Sequence, residues 1–427
     1  MFRRNALNIS PFGIPCYDAI SSRANPTCFQ DGNPEPLASL TMIYLDNSAT
    51  TKVREEVIEE MLPYLSTYWG NPSSIHALGR KSKEALQQAR AQVAMLLNCA
   101  DDEIYFSSCG TASNNAAILG RARFAAANGH GRHLISTQIE HPSVMGPCQY
   151  LQSQGWQVTY LPVDREGFIR LPQLRAAITA QTSIITVMWA NNEIGTVQNV
   201  AEIAALAAQR EIFFHTDAVQ LPGKLPIDMA SVQVSSLALS GHKFYAPKGV
   251  GVLFLRKLQN VMPTIFGGGQ EMGILPGTEG LANIVAIGKA AELALCELES
   301  TRAKLTQLAD IFFDVLAKSE NVQVTGPKSI DHRLPGHASF NLPGVEGEAI
   351  VLRADMKGIC ISSGSACHQG IIEASQVLKA IGLSNNQAMG SMRVSAGRFN
   401  DVEECKTASQ ALATILANLS SKAKIKA

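Results

Sequence analysis

The chain has 427 residues, with 36 basic and 36 acidic side chains and a formal net charge of zero, so nothing electrostatic draws it to nucleic acid or to an acidic membrane surface. Its length is a prior for two or three domains, and a hydrophobic content of 46% supports a sizeable core. Apolar runs such as ITVMWA and VGVLFL fall short of a membrane span, and nine cysteines without a C-x-x-C pair argue for a reducing, cytoplasmic compartment.

Residues 1–41 are rich in Pro, Asn and Ser and carry no sustained periodicity. They read as a disordered extension, as sequence upstream of a start at Met42, or as a targeting peptide bearing Arg3, Arg4 and Arg23 that would make the location organellar. Asp18 and poor amphipathicity count against the last reading. From Glu55, EEVIEEMLPYLSTYW has helical spacing broken near Pro63, and a longer helix is expected from Gly79 to Leu97. EIYFSS is a strand, and CGTASNNAAILGRARFAAA is a turn running into a helix. HLISTQ, QVTYLPV and SIITVMWA are strands, with VMGPCQYLQSQG and VAEIAALAAQR helical. IFFHTDAV, SSLALS and GVGVLFL are three more strands. This alternation predicts an α/β fold whose large domain is a mostly parallel, mixed sheet covered by helices. A long helical stretch follows Leu281. Shorter strands such as HASFNL and GSMRVSA then alternate with helices, as in a smaller α+β domain.

Four stretches can carry chemistry. FSSCGTASNNAA (Phe106–Ala117) runs from strand to turn to helix, and serves either as an anion site or as an ordinary capped turn. Asp217 ends an apolar strand in FHTDAVQ, as a helix cap or as a carboxylate facing the cleft beyond the strand. Lys243 follows Ser240, Gly241 and His242 between two apolar strands; it is either a solvated loop lysine or a desolvated, nucleophilic amine. GGGQEMG (Gly267–Gly273) is not a dinucleotide fingerprint and reads as a tight flexible loop. His141, in EHPSV, is a cap or core histidine, or a ring stacked on a ligand. Cys367 lies in SSGSACHQG among residues that seldom build helix or strand, which predicts an accessible thiol on a mobile loop. Together an anion cradle, a strand-end acid and a lysine are what pyridoxal 5'-phosphate needs. No metal site is expected.

With YLDNSATT, GNPSSIH, EHPSV, ANNEIGTVQ, DAVQ, SGHK, SSGSAC and RVSAGRF, the chain from about Met42 to Leu419 resembles the cysteine desulfurases of the class V aminotransferases, which are pyridoxal-phosphate enzymes of fold type I. The SSGSAC form resembles the group serving iron–sulfur cluster assembly. The resemblance implies a large cofactor-binding domain over 57–299, and a small domain from 42–56 and 300–427 that carries the cysteine loop. It implies that Lys243 holds the cofactor as an aldimine, that His141 stacks on its ring, and that Asp217 pairs with the ring nitrogen. Asn192 and Gln220 would reach the ring-oxygen side. Gly110, Thr111, Ser240 and His242 would bind phosphate, joined by Thr278 from the partner of a homodimer. Arg393 would clamp the carboxylate of L-cysteine, with Asn47 assisting. Cys367 would take the sulfur as a persulfide, leaving alanine, and pass it to an iron–sulfur scaffold or another sulfur acceptor. A selenocysteine lyase or cystine C–S lyase, needing no loop thiol, is the alternative reading; a non-catalytic scaffold homologue is the third.

Three features depart from the family pattern. Ala112 stands where an acid is usual, Met272 and Leu275 where arginines are usual, and Trp189 where histidine is common. A salt bridge lost as a unit is the expectation, since removing one partner of a buried pair costs about 3–5 kcal/mol.

Overall fold

The computed structural model describes residues 42–364, 366–368 and 371–426, with side chains for 42–364 and 374–421. The expectation for residues 1–41 and the side chain of Cys367 lie outside the described residues.

Seven strands form the main sheet, in the order Ile104–Ser107, Gly251–Leu255, Ser236–Ser240, Phe213–Asp217, Thr182–Thr186, His133–Thr137 and Gln157–Leu161. Neighbours run parallel except at Gly251–Leu255, which is antiparallel to both partners. This is the mostly parallel mixed sheet that the alternation of elements predicts. The strands are short apolar runs because both faces are covered. Successive residues point to opposite faces. Leu134, Ile184, Phe213 and Leu253 pack on one side with Ala117 and Ile118 of the Gly110–Ala127 helix. Ile135, Ile185, Phe214 and Phe254 pack on the other with Val93, Ala204 and Ile287. Each buried phenylalanine contributes about 1.5–3 kcal/mol.

A separate core gathers Leu45, Phe312, Phe340, Ile350, Val394 and Leu412. It lies around the antiparallel strands Gln323–Val324, His337–Asn341 and Ser391–Ser395. Ile43–Tyr44 pairs in parallel with Ile359–Cys360, which ties the start of the described chain to its last third.

Local signals place some helix ends. The Ala77–Leu97 helix stops at Asn98, in the left-handed conformation at φ 50 and ψ 58, which asparagine tolerates better than most side chains. Pro63 separates Glu55–Met61 from Pro63–Ser66. The stretch after Leu281 is two helices, Leu281–Cys296 and Leu298–Leu316. At their joint Glu297 accepts from Arg54 and Arg398.

Three local expectations change. Of SIITVMWA only the part up to Thr186 stays in the sheet. The chain then peels toward the strand ends, where Met188 N donates to Glu140 Oε1 at 2.9 Å and Trp189 N to Asp217 O at 2.9 Å. The GGGQEMG loop is pinned rather than flexible: Glu271, buried and at φ 46, pairs with Arg90 at 2.7 Å and accepts from Phe106 N at 2.8 Å. Cys367 is on a strand rather than a loop, since Ala366–His368 pairs antiparallel with Ile371–Glu373 and Cys367 sits opposite Ile372. The β-branched pair Ile371 and Ile372 supplies the strand preference that Ser362–Gly364 lacks.

Candidate active site

Ser107, Asp217 and Ser240 each end a strand at the same edge of the sheet, its carboxyl edge. Beyond that edge lies a cavity of about 200 Å3, the place where open α/β sheets take ligands. Gly110, Thr111, His141, Asn192, Asp217, Gln220, Ser240, His242 and Lys243 all line it. The amine of residue 243 and the carboxylate of residue 217 therefore open onto one space.

Asp217 is buried, and both of its oxygens accept hydrogen bonds. Oδ2 takes one from Asn114 Nδ2 at 2.8 Å, and Oδ1 takes one from Val219 N at 3.1 Å. Asn114 is itself oriented. Its Oδ1 lies 2.8 Å from His215 Nε2, while Ser236 Oγ lies 2.8 Å from His215 Nδ1. Burial pushes His215 down to about 3, so the ring is neutral. Nε2 carries the proton donated to Asn114, and Nδ1 accepts from the Ser236 hydroxyl. Sequence reasoning missed this brace. Its signal was the spacing in HTD, since residues i and i+2 share a strand face.

Lys243 follows its strand on a single 3-10 turn, Gly241–Lys243. Its Nζ donates to Ser48 O at 2.7 Å and to Ala49 O at 2.8 Å. Burial, and then the Arg393 charge, lower its pKa to about 8, with Asp217 and Asp46 opposing. About a tenth of this amine is thus unprotonated at pH 7, far more than for a solvated lysine, and the neutral form is the nucleophile. Gln220 Nε2 donates to the same Ser48 carbonyl at 3.0 Å. His141 caps the Pro142–Ser153 helix by accepting from Ser143 N at 3.1 Å. Desolvation lowers the pKa of its ring, Asp217 opposes, and Lys243 adds to the fall.

The anion end is the start of the 18-residue Gly110–Ala127 helix, whose N-cap, Cys109, makes no side-chain cap. Its first N–H groups are left for a ligand. A Cβ on Gly110 would stand 3.0 Å from Val219 Cγ1 and 3.2 Å from Ser240 Cβ, closing the cradle. Desolvation, with Lys243 and Lys248 nearby, pushes His242 down to about 4.

Three sequence-derived residues stand off this cavity. Arg393 is buried and spans from Asp46 Oδ1, at 2.6 Å, to the Asn192 carbonyl, at 3.1 Å, with its Nε unpartnered. Asn47 has its amide occupied: Nδ2 donates to Ser395 O at 2.9 Å, which braces the chain rather than facing the cavity. Thr278 lines a neighbouring cavity of about 330 Å3 together with Ala112 and Leu275. Two of the positions that depart from the family pattern therefore line one cavity, while Met272 is exposed. The strand of Arg393 also holds the root of the cysteine hairpin. Ser362 and Arg393 exchange backbone hydrogen bonds at 2.7 and 3.1 Å, and Gly364 N donates to Ser391 Oγ at 2.8 Å.

Glu140, beside His141, yields a prediction. Burial raises its pKa to about 8, against the bonds from Met188 N and Thr137. The folded value lies above the unfolded one, so its contribution to stability is full below about pH 4.5 and is lost as pH rises through about 8. Glu140→Gln does not titrate. In urea unfolding the wild type is expected to lose about 2–4 kcal/mol relative to this variant between pH 5 and 8. A difference that stays constant with pH would contradict this.

A lysine, a strand-end carboxylate and an uncapped helix N-terminus around one cavity are the groups that hold pyridoxal phosphate in an enzyme of fold type I. The chain belongs to the class-V aminotransferase family, whose model matches residues 43–407. Class-V aminotransferases and cysteine desulfurases depend on pyridoxal phosphate. The chain is 43% identical over 378 residues to a cysteine desulfurase IscS of Dictyoglomus turgidum, covering 88% of this chain and 95% of that one. It is 45% identical over 361 residues to a cysteine desulfurase of Trichormus azollae, covering 84% and 89%. Among solved structures a NifS-like protein matches with a TM-score of 0.83 and 32% identity, over 88% of this chain and all of its own (100%). SspA, solved in complex with cysteine, matches with a TM-score of 0.74 and 34% identity, over 84% and 100%.

Proposed function

We propose that this protein is a cysteine desulfurase that takes the sulfur of L-cysteine onto Cys367 and releases alanine. The observation that carries the reading is the shared cavity of Lys243 and Asp217, with Gly110 and Thr111 at an open helix N-terminus in its wall. Gly110, Thr111, Ser240 and His242 would hold the phosphate, Asp217 the ring nitrogen, His141 the ring face, and Asn192 and Gln220 the ring-oxygen side. Thr278 would join the phosphate site across a homodimer interface. When bound, pyridoxal phosphate withdraws electrons from the substrate's Cα and so labilises its proton.

The chain's own residues do the rest. Arg393 binds the substrate carboxylate through its planar fork. For that it turns from Asp46, its present partner at 2.6 Å. Lys243 Nζ moves the Cα proton as base and then acid. The Cys367 thiolate bonds to the substrate sulfur as the carbon–sulfur bond breaks. The bonding pair stays with carbon, which takes a proton, and alanine leaves. The persulfide then passes to an acceptor, an iron–sulfur scaffold or another sulfur carrier. We assign residues 57–299 to a large domain, and 42–56 with 300–427 to a small one; the separate core around Leu45 and Phe340 supports this division. Among the described residues no helix is long and apolar enough to cross a membrane; the cytoplasm is our reading of its location.

The test is direct. Protein loaded with pyridoxal phosphate and given L-cysteine should form alanine and a persulfide in equal amounts in the first turnover. A coloured, loaded protein that yields no alanine would sink the reading.

A further inference from the structure

Lys224 is buried, 5% exposed, and the Candidate site has no use for it. It stands outside the cavity lining, four residues after Gln220. Its Nζ donates to Gln220 Oε1 at 3.3 Å. On its other end Gln220 donates through Nε2 to Ser48 O, the carbonyl that also accepts from Lys243 Nζ. Four groups are thus strung in one line, from the Lys224 amine through the Gln220 amide and the Ser48 carbonyl to the Lys243 amine.

We propose that Lys224 is a positioning residue for the Lys243 centre: by donating to Oε1 it fixes the Gln220 amide so that its NH2, and not its carbonyl oxygen, faces Ser48 and the cavity. An amide has two nearly isosteric faces, and only its partners decide between them. Ser48 O can only accept. Turned over, Gln220 would set oxygen against oxygen there, so a donor on the far side selects the productive face. An acidic partner at position 224 could not do this, and an apolar one would leave the amide free. The charged groups facing Lys224 are Lys243 and Arg393, both of which, after burial, push its pKa down, to about 7. His337 feels the Lys224 charge in turn. Near pH 8, where Lys243 titrates, Lys224 is therefore mostly neutral and acts through its N–H groups.

The inference rests on the cofactor reading of the cavity, and the experiment separates the two. The rate at which the apoprotein attaches the cofactor and gains its visible band is followed against pH in the absence of substrate. A wild type that takes up no cofactor and shows no band would sink the cofactor reading itself. Given a band, Lys224→Met should raise the midpoint of that rate profile by about half to one pH unit, because Ser48 O, released by Gln220, accepts more fully from the free Lys243 amine. Lys224→Gln keeps a donor toward Oε1 and should stay within about 0.2 of the wild type. A midpoint unmoved in Lys224→Met, or moved equally in both variants, overturns the proposal. Should Lys224→Met not fold, Gln220→Leu, which has neither amide face, tests the same link: adding Lys224→Gln to it should move the midpoint no further. An additional shift there would overturn the proposal as well.

Discussion

Replacing Cys367 with serine is expected to leave the visible band of the cofactor-loaded protein in place and to cut alanine formation from L-cysteine by about 10³-fold or more. The hydroxyl is nearly isosteric with the thiol, and the hairpin that carries position 367 is made by backbone pairing with Ile371–Glu373, so the substitution leaves the scaffold alone. It also leaves Lys243, Asp217 and the helix N-terminus untouched, and these are the groups assigned to the cofactor. What it removes is the sulfur atom proposed to accept the substrate's sulfur: a serine oxygen is a weak nucleophile at its free pKa. The measurement is alanine released per minute, together with alkylation of the persulfide. The outcome divides the readings. A selenocysteine lyase or a cystine lyase, which releases sulfur directly, would lose little rate. Full alanine formation by the serine variant would therefore remove Cys367 from the mechanism and favour one of these lyases.

The hairpin root shows why a thiol here can serve a site built on other elements. The Ser391–Ser395 strand carries Arg393, and the same residue's backbone is bridged to Ser362 at the hairpin's start. The residues proposed as substrate clamp and sulfur acceptor are thus fastened to one strand of the small core. Asp217 and Lys243 belong to the large sheet. Asn192, which lines the cavity and whose carbonyl accepts from Arg393, is a point of contact between the two sets. Chemistry that needs both sets is sensitive to how the two cores meet, and not to either core alone.

Strand-end groups were legible because their context is local. Asp217 closes an apolar run, Lys243 follows another, and each position is set by its own strand. The partners of those groups were not legible. The Asn114 bond to Asp217 spans 103 residues and the Arg90 pair with Glu271 spans 181. No periodicity encodes a contact at such separations. The loop reading of SSGSACHQG failed for a related reason. Propensity favoured a loop there, but pairing with Ile371 and Ile372 across a two-residue gap made a strand, since strand formation depends on cross-strand neighbours more than on its own residues. The surroundings of Asn47 were not legible either: its amide donates to Ser395 O, 348 residues away in the chain, and it is not among the residues lining the cavity.

Lys243→Ala should lower alanine formation by about 10²–10⁴-fold, the usual worth of a positioned acid–base group, and should also end covalent retention of the cofactor. Borohydride treatment followed by mass measurement reads the second effect without any turnover: the wild-type chain gains the mass of a reduced cofactor and the variant does not. Two other lysines make the contrast informative. Lys248, five residues on, faces solvent, and its removal should alter neither readout. Lys224, though buried, reaches Gln220 and not the cavity, so its variants should keep the mass gain. The pH dependence carries the argument further. Burial and Arg393 hold the Lys243 pKa near 8; attachment of the cofactor to the apoprotein requires the neutral amine and should speed up with pH through about 8 rather than through the 10.5 of a solvated lysine. Arg393→Met removes one of the two causes. It should move that midpoint upward, toward the solvated value, while leaving the mass gain intact. A midpoint that stays put would mean that desolvation alone sets the amine, and that the charge of Arg393 is screened from it by Asp46.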